Sequence, residues 1–334
     1  MTADSALTWL GLDPAVDASV SATLAVVEDE LRSNVASADP LIAEAARHLM
    51  DAGGKRTRPL VVALGAQFGD PTRPEIVPAA LVVELTHLAT LYHDDVMDEA
   101  AVRRGAPSAN ARWGNSVAIL VGDYLFARAA DLAASLGTEA VRLQAQTFSR
   151  LVHGQIAETV GARGSDPIDH YLHVIAEKTA SLFATSARFG GLFSGAKPEH
   201  VAALAGYGET IGVAFQLSDD LLDIASESVQ SGKTPGTDLR EGVPTLPVLY
   251  ALAGDDTDAS AVRLRELLAS GPLVDDALHA EALGLLRESS AMKHARETVR
   301  GYAEEARACL APLPDGSPRR AMEALCDSIA DRTS

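Results

Sequence analysis

Six aspartates in two matching sets are the residues of this chain best suited to chemistry. Asp94-Asp95-Val96-Met97-Asp98 and Asp219-Asp220-Leu221-Leu222-Asp223 share one spacing inside apolar sequence. On a helix, at about 100° per residue, the first and last acids of each set lie about 40° apart, and the middle one falls within about the same 100° arc. Each set can therefore point all its carboxylates one way. Three carboxylates on one face repel, and raise one another's pKa, unless a cation compensates. Oxygen-only ligands select a hard divalent ion, and Mg2+ in particular binds through a few carboxylates plus substrate phosphates. The sets begin 125 positions apart, at 94 and 219, so only the fold can join them. Facing helices of a bundle are the usual means.

The elements that must position these acids are helices. Hydrophobic residues make up 47% of the 334-residue chain but aromatics only 4%, and the abundance of Ala and Leu favours helix over sheet. One helical segment runs from about Val77 through Asp98, and another from about Pro198 to Ala225, where Pro198 suits a first-turn position. In the second, Val201, Leu204, Ala205, Ile211, Phe215 and Leu222 recur at helical intervals. Both clusters thus sit near helix C-termini, where the macrodipole is negative and a bound cation would compensate. Breaks fall at Asp70 to Pro74, Gly161 to Pro167, Gly195 to Pro198, Ser226 to Pro247, Gly254 to Asp258, Gly271-Pro272 and Ala311 to Pro318. No repeat or long polar linker divides the chain, so residues 1–334 are expected to form a single all-α domain, with residues 1–20 loose and 21–334 the helical core.

The basic counterpart is sparse and gathered. Lys and Arg number 28 against 46 Asp and Glu, giving a formal charge of −18. That balance excludes nucleic acid as a partner, since a phosphate backbone needs a basic footprint. Yet Gly53-Gly54-Lys55-Arg56-Thr57-Arg58-Pro59 and Arg103-Arg104-Gly105 concentrate cations beside glycines. Glycines let backbone approach a ligand closely, and Lys and Arg are natural donors to phosphate oxygens. The first run lacks the spacing of a Walker loop, and either alone would pass for a solvated turn. His87 lies seven residues before Asp94, about 20° away on the same helical stripe. A boundary histidine is the plain alternative, and His93, about 100° round, carries less weight. Cys309 and Cys326 are the only cysteines and fit neither a disulfide scaffold nor a metal spacing, so both are expected to be reduced thiols. No signal peptide and no run of about 18 uninterrupted apolar residues is present, so no membrane span and a cytoplasmic location are expected.

Taken together, His93-Asp94-Asp95-Val96-Met97-Asp98, Arg103-Arg104-Gly105, Gly53 to Pro59, and Phe215-Gln216-x-x-Asp219-Asp220-x-x-Asp223 resemble the motifs of the trans-isoprenyl diphosphate synthases, also called polyprenyl synthetases. The resemblance runs in order from about residue 45 to residue 250 and includes Lys178-Thr179 and Gly232-Lys233. It implies an all-α bundle of the isoprenoid synthase type around a central cavity, with the acidic helices facing each other across its mouth. It also implies three Mg2+ ions held mainly by Asp94, Asp98 and Asp219, with Asp95, Asp220 and Asp223 acting directly or through metal-bound water. Lys55, Arg58, His87 and Arg104 would hold isopentenyl diphosphate; Arg103, Lys178, Thr179, Gln216 and Lys233 would hold the allylic diphosphate. Glu158 is a further candidate near the cavity, with an exposed helical acid as its alternative. One departure stands out: Val243 occupies a place in Glu241 to Pro247 where many members carry Lys, which puts one diphosphate contact in doubt.

The implied reaction is sequential head-to-tail condensation of isopentenyl diphosphate onto an allylic diphosphate, catalysed by a homodimeric prenyltransferase. In such enzymes bulky residues one turn before the first acidic cluster stop short products. Here those positions are Ala89 and Thr90, both small, so a product longer than C20, about C30 to C50, as used for a quinone side chain, is expected; the lipid would pass to a membrane enzyme. The alternatives are a short-chain farnesyl or geranylgeranyl synthase, a non-catalytic partner subunit, which would show eroded acidic clusters, and a terpene cyclase, which needs no second diphosphate site.

Overall fold

The computed structural model describes residues 13–37, 39–226 and 235–332. They are overwhelmingly helical. Among them the one paired strand segment is a two-residue antiparallel ladder, Val102–Arg103 against Ala106–Pro107, so the all-α expectation holds. Both helices anticipated around the acids are present, as Ile76–Met97 and Pro198–Ala225.

Local chemistry explains where the helices begin. Asp13, Asp39, Asp166, Asp258 and Asp275 each accept a hydrogen bond from an amide of the first turn, a cap contributing about 1 kcal/mol. Three of these helices open on proline, at Pro14, Pro40 and Pro167, whose missing N–H would lack a helical partner in any case. Residues 14–20, expected to be loose, instead form the start of helix Pro14–Asn34, because Asp13 caps it and Val16 and Val20 are buried. The rest of that stretch, residues 1–12, lies outside the described residues.

The described chain gathers into two compact units, each assembled from three segments. The first comprises residues 1–151, 181–209 and 307–325; the second comprises residues 152–180, 210–306 and 326–334. The chain thus passes between them five times, and neither unit is a contiguous piece of sequence.

In the first unit the central element is helix Ile76–Met97. It packs against Thr57–Ala66, Asn115–Leu136 and Ser181–Phe193, and Leu81, Leu85, Leu88 and Tyr92 are all buried. Each buried leucine contributes about 1.5–3 kcal/mol. This is the one described helix long and apolar enough to cross a membrane, yet 67% of its apolar window is buried inside the protein, as befits a core helix. Helices Thr57–Ala66 and Ser181–Phe193 approach closely at glycines: a Cβ on Gly190 would stand 2.3 Å from the Val62 carbonyl oxygen. In the second unit Pro167–Ile175 packs against Leu246–Ala253, which also meets Ala259–Ala269 and Asp276–Glu288. Cys309 and Cys326 are free thiols.

Candidate active site

In the first unit the acidic cluster closes the core helix. Asp94 is half-buried, Asp95 fully buried, and Asp98, the C-cap, exposed. The Arg103 guanidinium, carried back by the short hairpin, donates from Nε to Asp95 Oδ1 at 2.5 Å and stands 4.0 Å from Asp98. Asp95 Oδ2 is buried with no hydrogen-bond partner. Burial pushes the Asp95 carboxyl above its ordinary range; Arg103 opposes that shift and the charge of Asp98 adds to it. Arg103, expected on the allylic diphosphate, pairs here with Asp95.

The basic loop of the same unit divides its cations between two tasks. Arg56 is buried and turns inward, pairing with Glu28 at 2.8 Å and with the buried Glu84 at 3.2 Å, and donating to the Met50 carbonyl. It does so from a left-handed backbone, φ 49°, which costs a non-glycine residue energy. Arg104 donates to the carbonyls of Leu49, at 2.6 Å, and Gly53. Gly54 makes room for both arginines, since a Cβ there would lie 2.8 Å from Arg56 Nη1 and 3.0 Å from Arg104 Nη1. Lys55 is exposed and Arg58 half-buried on the same loop, the Arg58 guanidinium lying 5.2 Å from the Phe183 ring centroid. His87 lies in the field of Arg58, Arg104, Arg56 and Arg103; burial first, and then those charges, hold its imidazole well below the usual value. A neutral imidazole ringed by guanidiniums is suited to an anion. Ala89 is fully buried, and the half-buried Thr90 turns its hydroxyl onto the His87 carbonyl at 2.8 Å.

In the second unit the acids lie on the last turns of helix Pro198–Ala225, and each has its own anchor. Arg332 Nη2 donates to Asp219 Oδ1 at 2.6 Å and to Ser218 Oγ at 3.2 Å, with its guanidinium 5.2 Å from the Phe215 ring centroid. Asp220 accepts from the Tyr171 hydroxyl at Oδ2 and from Gln216 Nε2 at Oδ1, 2.8 Å. Asp223 Oδ2 accepts from the Asp238 backbone N–H at 3.2 Å. Burial pushes the Asp220 carboxyl up to about 6; the Tyr171 and Gln216 hydrogen bonds oppose this, while Asp219 and Asp223 add to it by like charge. Thr179 donates to Gln216 Oε1 at 3.1 Å, and Lys178 pairs with Glu158 at 2.5 Å. Lys178 and Thr179 lie in a π-helical turn, Ala176–Ala180, a distortion frequent at functional sites. Gly154 permits it: a Cβ there would be 2.8 Å from the Lys178 backbone nitrogen. Glu158 is therefore a lysine partner rather than a solitary exposed acid. Val243 is exposed, and Lys233 with Gly232 lies outside the described residues.

Sequence reasoning missed Tyr171, Arg332 and the Asp238 amide. Tyr171 lies seven residues before Lys178, but the π-helical turn between them breaks the α-helical phase, so the spacing gave no signal. Arg332 lies 113 residues from Asp219 and carries none.

Among the described residues no three acid or imidazole groups converge closely enough to hold a metal ion. The donor chemistry nevertheless fits a hard divalent cation. All six donors are carboxylates, one buried oxygen of Asp95 lacks a partner, and Asp220 is raised partly by the negative charge of its neighbours, which a cation would relieve.

Comparison with known proteins decides the family. Residues 39–283 match the polyprenyl synthetase family model. The chain belongs to the polyprenyl synthetase family. Among its relatives in this family is a nonaprenyl diphosphate synthase of Mycobacterium tuberculosis, 52% identical over 322 residues, which cover 96% of this chain and 95% of the relative. Two solved polyprenyl synthetase-like structures superpose closely. A geranylgeranyl pyrophosphate synthase from Corynebacterium glutamicum, complexed with calcium and isoprenyl diphosphate, gives a TM-score of 0.86 at 45% identity, covering 96% of this chain and 98% of that one. A decaprenyl diphosphate synthase from Rhodobacter capsulatus gives 0.85 at 35% identity, covering 96% and 99%. Like these relatives, this polyprenyl synthetase family member is a prenyltransferase.

Proposed function

We propose that the protein is an all-trans polyprenyl diphosphate synthase that condenses isopentenyl diphosphate repeatedly onto an allylic diphosphate, with a product longer than C20. The observation that carries this reading is 52% identity, over nearly the whole chain, to a nonaprenyl diphosphate synthase, in a chain that keeps both three-aspartate sets and both basic motifs. The two units are read as one synthase domain acting as a homodimer in the cytoplasm, with the lipid product passed to a membrane enzyme.

Asp94, Asp98 and Asp219 are assigned as the main ligands of Mg2+, three ions per site, with Asp95 and Asp223 supporting and Asp220 acting through its neighbours. Bound Mg2+ supplies Lewis-acid stabilisation of the departing diphosphate. The chain's own cationic and polar side chains act on the same charge. Lys178, Thr179, Gln216, Lys233 and Arg103 hold the allylic diphosphate and stabilise the negative charge that builds as its C–O bond breaks. Lys55, Arg58, His87 and Arg104 hold isopentenyl diphosphate, whose double bond attacks the allylic cation; loss of a proton then regenerates an allylic diphosphate longer by one unit. His87, kept neutral by its surroundings, is available as a hydrogen-bond partner rather than a charge. Water must be excluded while the cation exists.

Ala89 and Thr90 leave the chain-length position small, which supports a product of about C30 to C50. Replacing Ala89 by Phe is expected to shorten the products, and unchanged lengths would sink the floor argument. The 45% identity to a geranylgeranyl pyrophosphate synthase favours a second reading, a C20 product. One assay separates them: pure protein, Mg2+, labelled isopentenyl diphosphate and, separately, geranyl, farnesyl or geranylgeranyl diphosphate, with chromatography of the dephosphorylated products. A ladder running past geranylgeraniol and abolished by EDTA is expected. A ladder that stops at C20 selects the short-chain reading, and no elongation with any primer defeats both.

A further inference from the structure

Tyr171 lies on helix Pro167–Ile175, outside every motif used above, yet its hydroxyl is committed to the second acidic cluster. It donates to Asp220 Oδ2. A phenol hydroxyl removed from water costs free energy unless partnered, and here its donor capacity is used on a carboxylate. The consequence falls on Asp220. Its second oxygen is held by Gln216 at 2.8 Å, and the amide oxygen of Gln216 in turn receives Thr179 at 3.1 Å. One continuous chain of hydrogen bonds thus runs from Tyr171 through Asp220 and Gln216 to Thr179 beside Lys178. Both oxygens of Asp220 are occupied by protein donors.

Resting on the reading above, we infer that Tyr171 is a positioning residue for the second acidic cluster: it fixes Asp220, and through Gln216 and Thr179 sets how strongly this unit takes a divalent cation together with an allylic diphosphate. Asp220 is then the junction that keeps the flanking aspartates in register with the Lys178 turn. Without the hydroxyl the carboxylate is free to rotate, and its grip on Gln216 goes with it.

The test is Tyr171→Phe, which deletes one oxygen and keeps the ring packing. Calorimetric titration of Mg2+ with a non-ionisable thiolo-diphosphate analogue of the allylic substrate is expected to show about tenfold weaker binding, the scale of one charge-assisted hydrogen bond. The KM for isopentenyl diphosphate, whose assigned residues lie in the other unit, should stay within about twofold, as should the melting profile. A merely structural tyrosine would move stability and both substrate sites together. In an Asp220→Asn background, Tyr171→Phe should weaken binding no further. Unchanged analogue binding, equal losses at both substrates, or additive effects in the double variant would each overturn the inference. Wild-type protein that binds no Mg2+ and analogue would overturn the proposed function as well, so the two failures are told apart.

Discussion

In the first acidic cluster the brace comes from eight residues downstream: Arg103 returns on a tight hairpin and pairs with Asp95. In the second, Asp219, Asp220 and Asp223 are held by Arg332, Tyr171 and the Asp238 amide, which lie 113, 49 and 15 residues away. Identical spacing is thus stabilised in two physically different ways. A short-range brace travels with its motif and forms with it. A long-range brace exists only once tertiary packing is complete, so the second cluster is the one whose geometry remote substitutions can tune. The nature of the donors differs as well. Each cluster desolvates its middle carboxylate, but Asp95 is opposed chiefly by the Arg103 cation and Asp220 by two neutral donors, Tyr171 and Gln216.

The comparison would break most visibly at the aspartates themselves. Asp94→Ala and Asp219→Ala are each expected to lower kcat by about a thousandfold, as for loss of a principal electrostatic stabiliser, measured by isopentenyl incorporation. A variant of either that keeps activity would remove its cluster from the site. Next in size is Arg103→Ala, which leaves the buried Asp95 without its cation. Urea unfolding should show a loss of about 2–3 kcal/mol, below the figure for a fully buried pair because Arg103 is 31% exposed. Arg332→Ala, at the partly exposed Asp219 pair, should cost under about 1 kcal/mol. Equal losses in the two variants would erase the distinction between them. The smallest expected effect concerns His87. Its folded pKa lies below the unfolded value, so on acidification the unfolded chain takes up a proton that the folded one refuses. The His87 contribution to stability is therefore lost as pH falls below about 6.5. Imidazole NMR should show no His87 titration near that pH, and an ordinary curve there would contradict the burial among arginines.

What could be read from sequence follows the same division. The acid spacing, the helical phase and the clustering of Lys55, Arg58, Arg103 and Arg104 are local properties, and they placed both acidic helices and the all-α class. The inward role of Arg56 was not legible, because Glu28 and Glu84 are each 28 residues away and a lone basic turn gives no sign of which side chain will be buried. Nor was the Arg103–Asp95 pair, since the neighbouring Arg104 carries the same charge and only the hairpin separates their directions. The start of helix Pro14–Asn34 was locally encoded, by Asp13, Pro14 and the spacing of Val16 and Val20, and should have been read. Arg332 and the Asp238 amide could not be, for tertiary packing alone brings them to the second cluster.

The most direct measurement counts bound metal. Mn2+ titrated into the wild-type protein with a non-ionisable allylic thiolo-diphosphate, followed by electron paramagnetic resonance, is expected to show about three bound ions. Asp94→Ala and Asp219→Ala should each lose part of that set. Full binding in either variant would contradict the claim that both acidic clusters serve the metal.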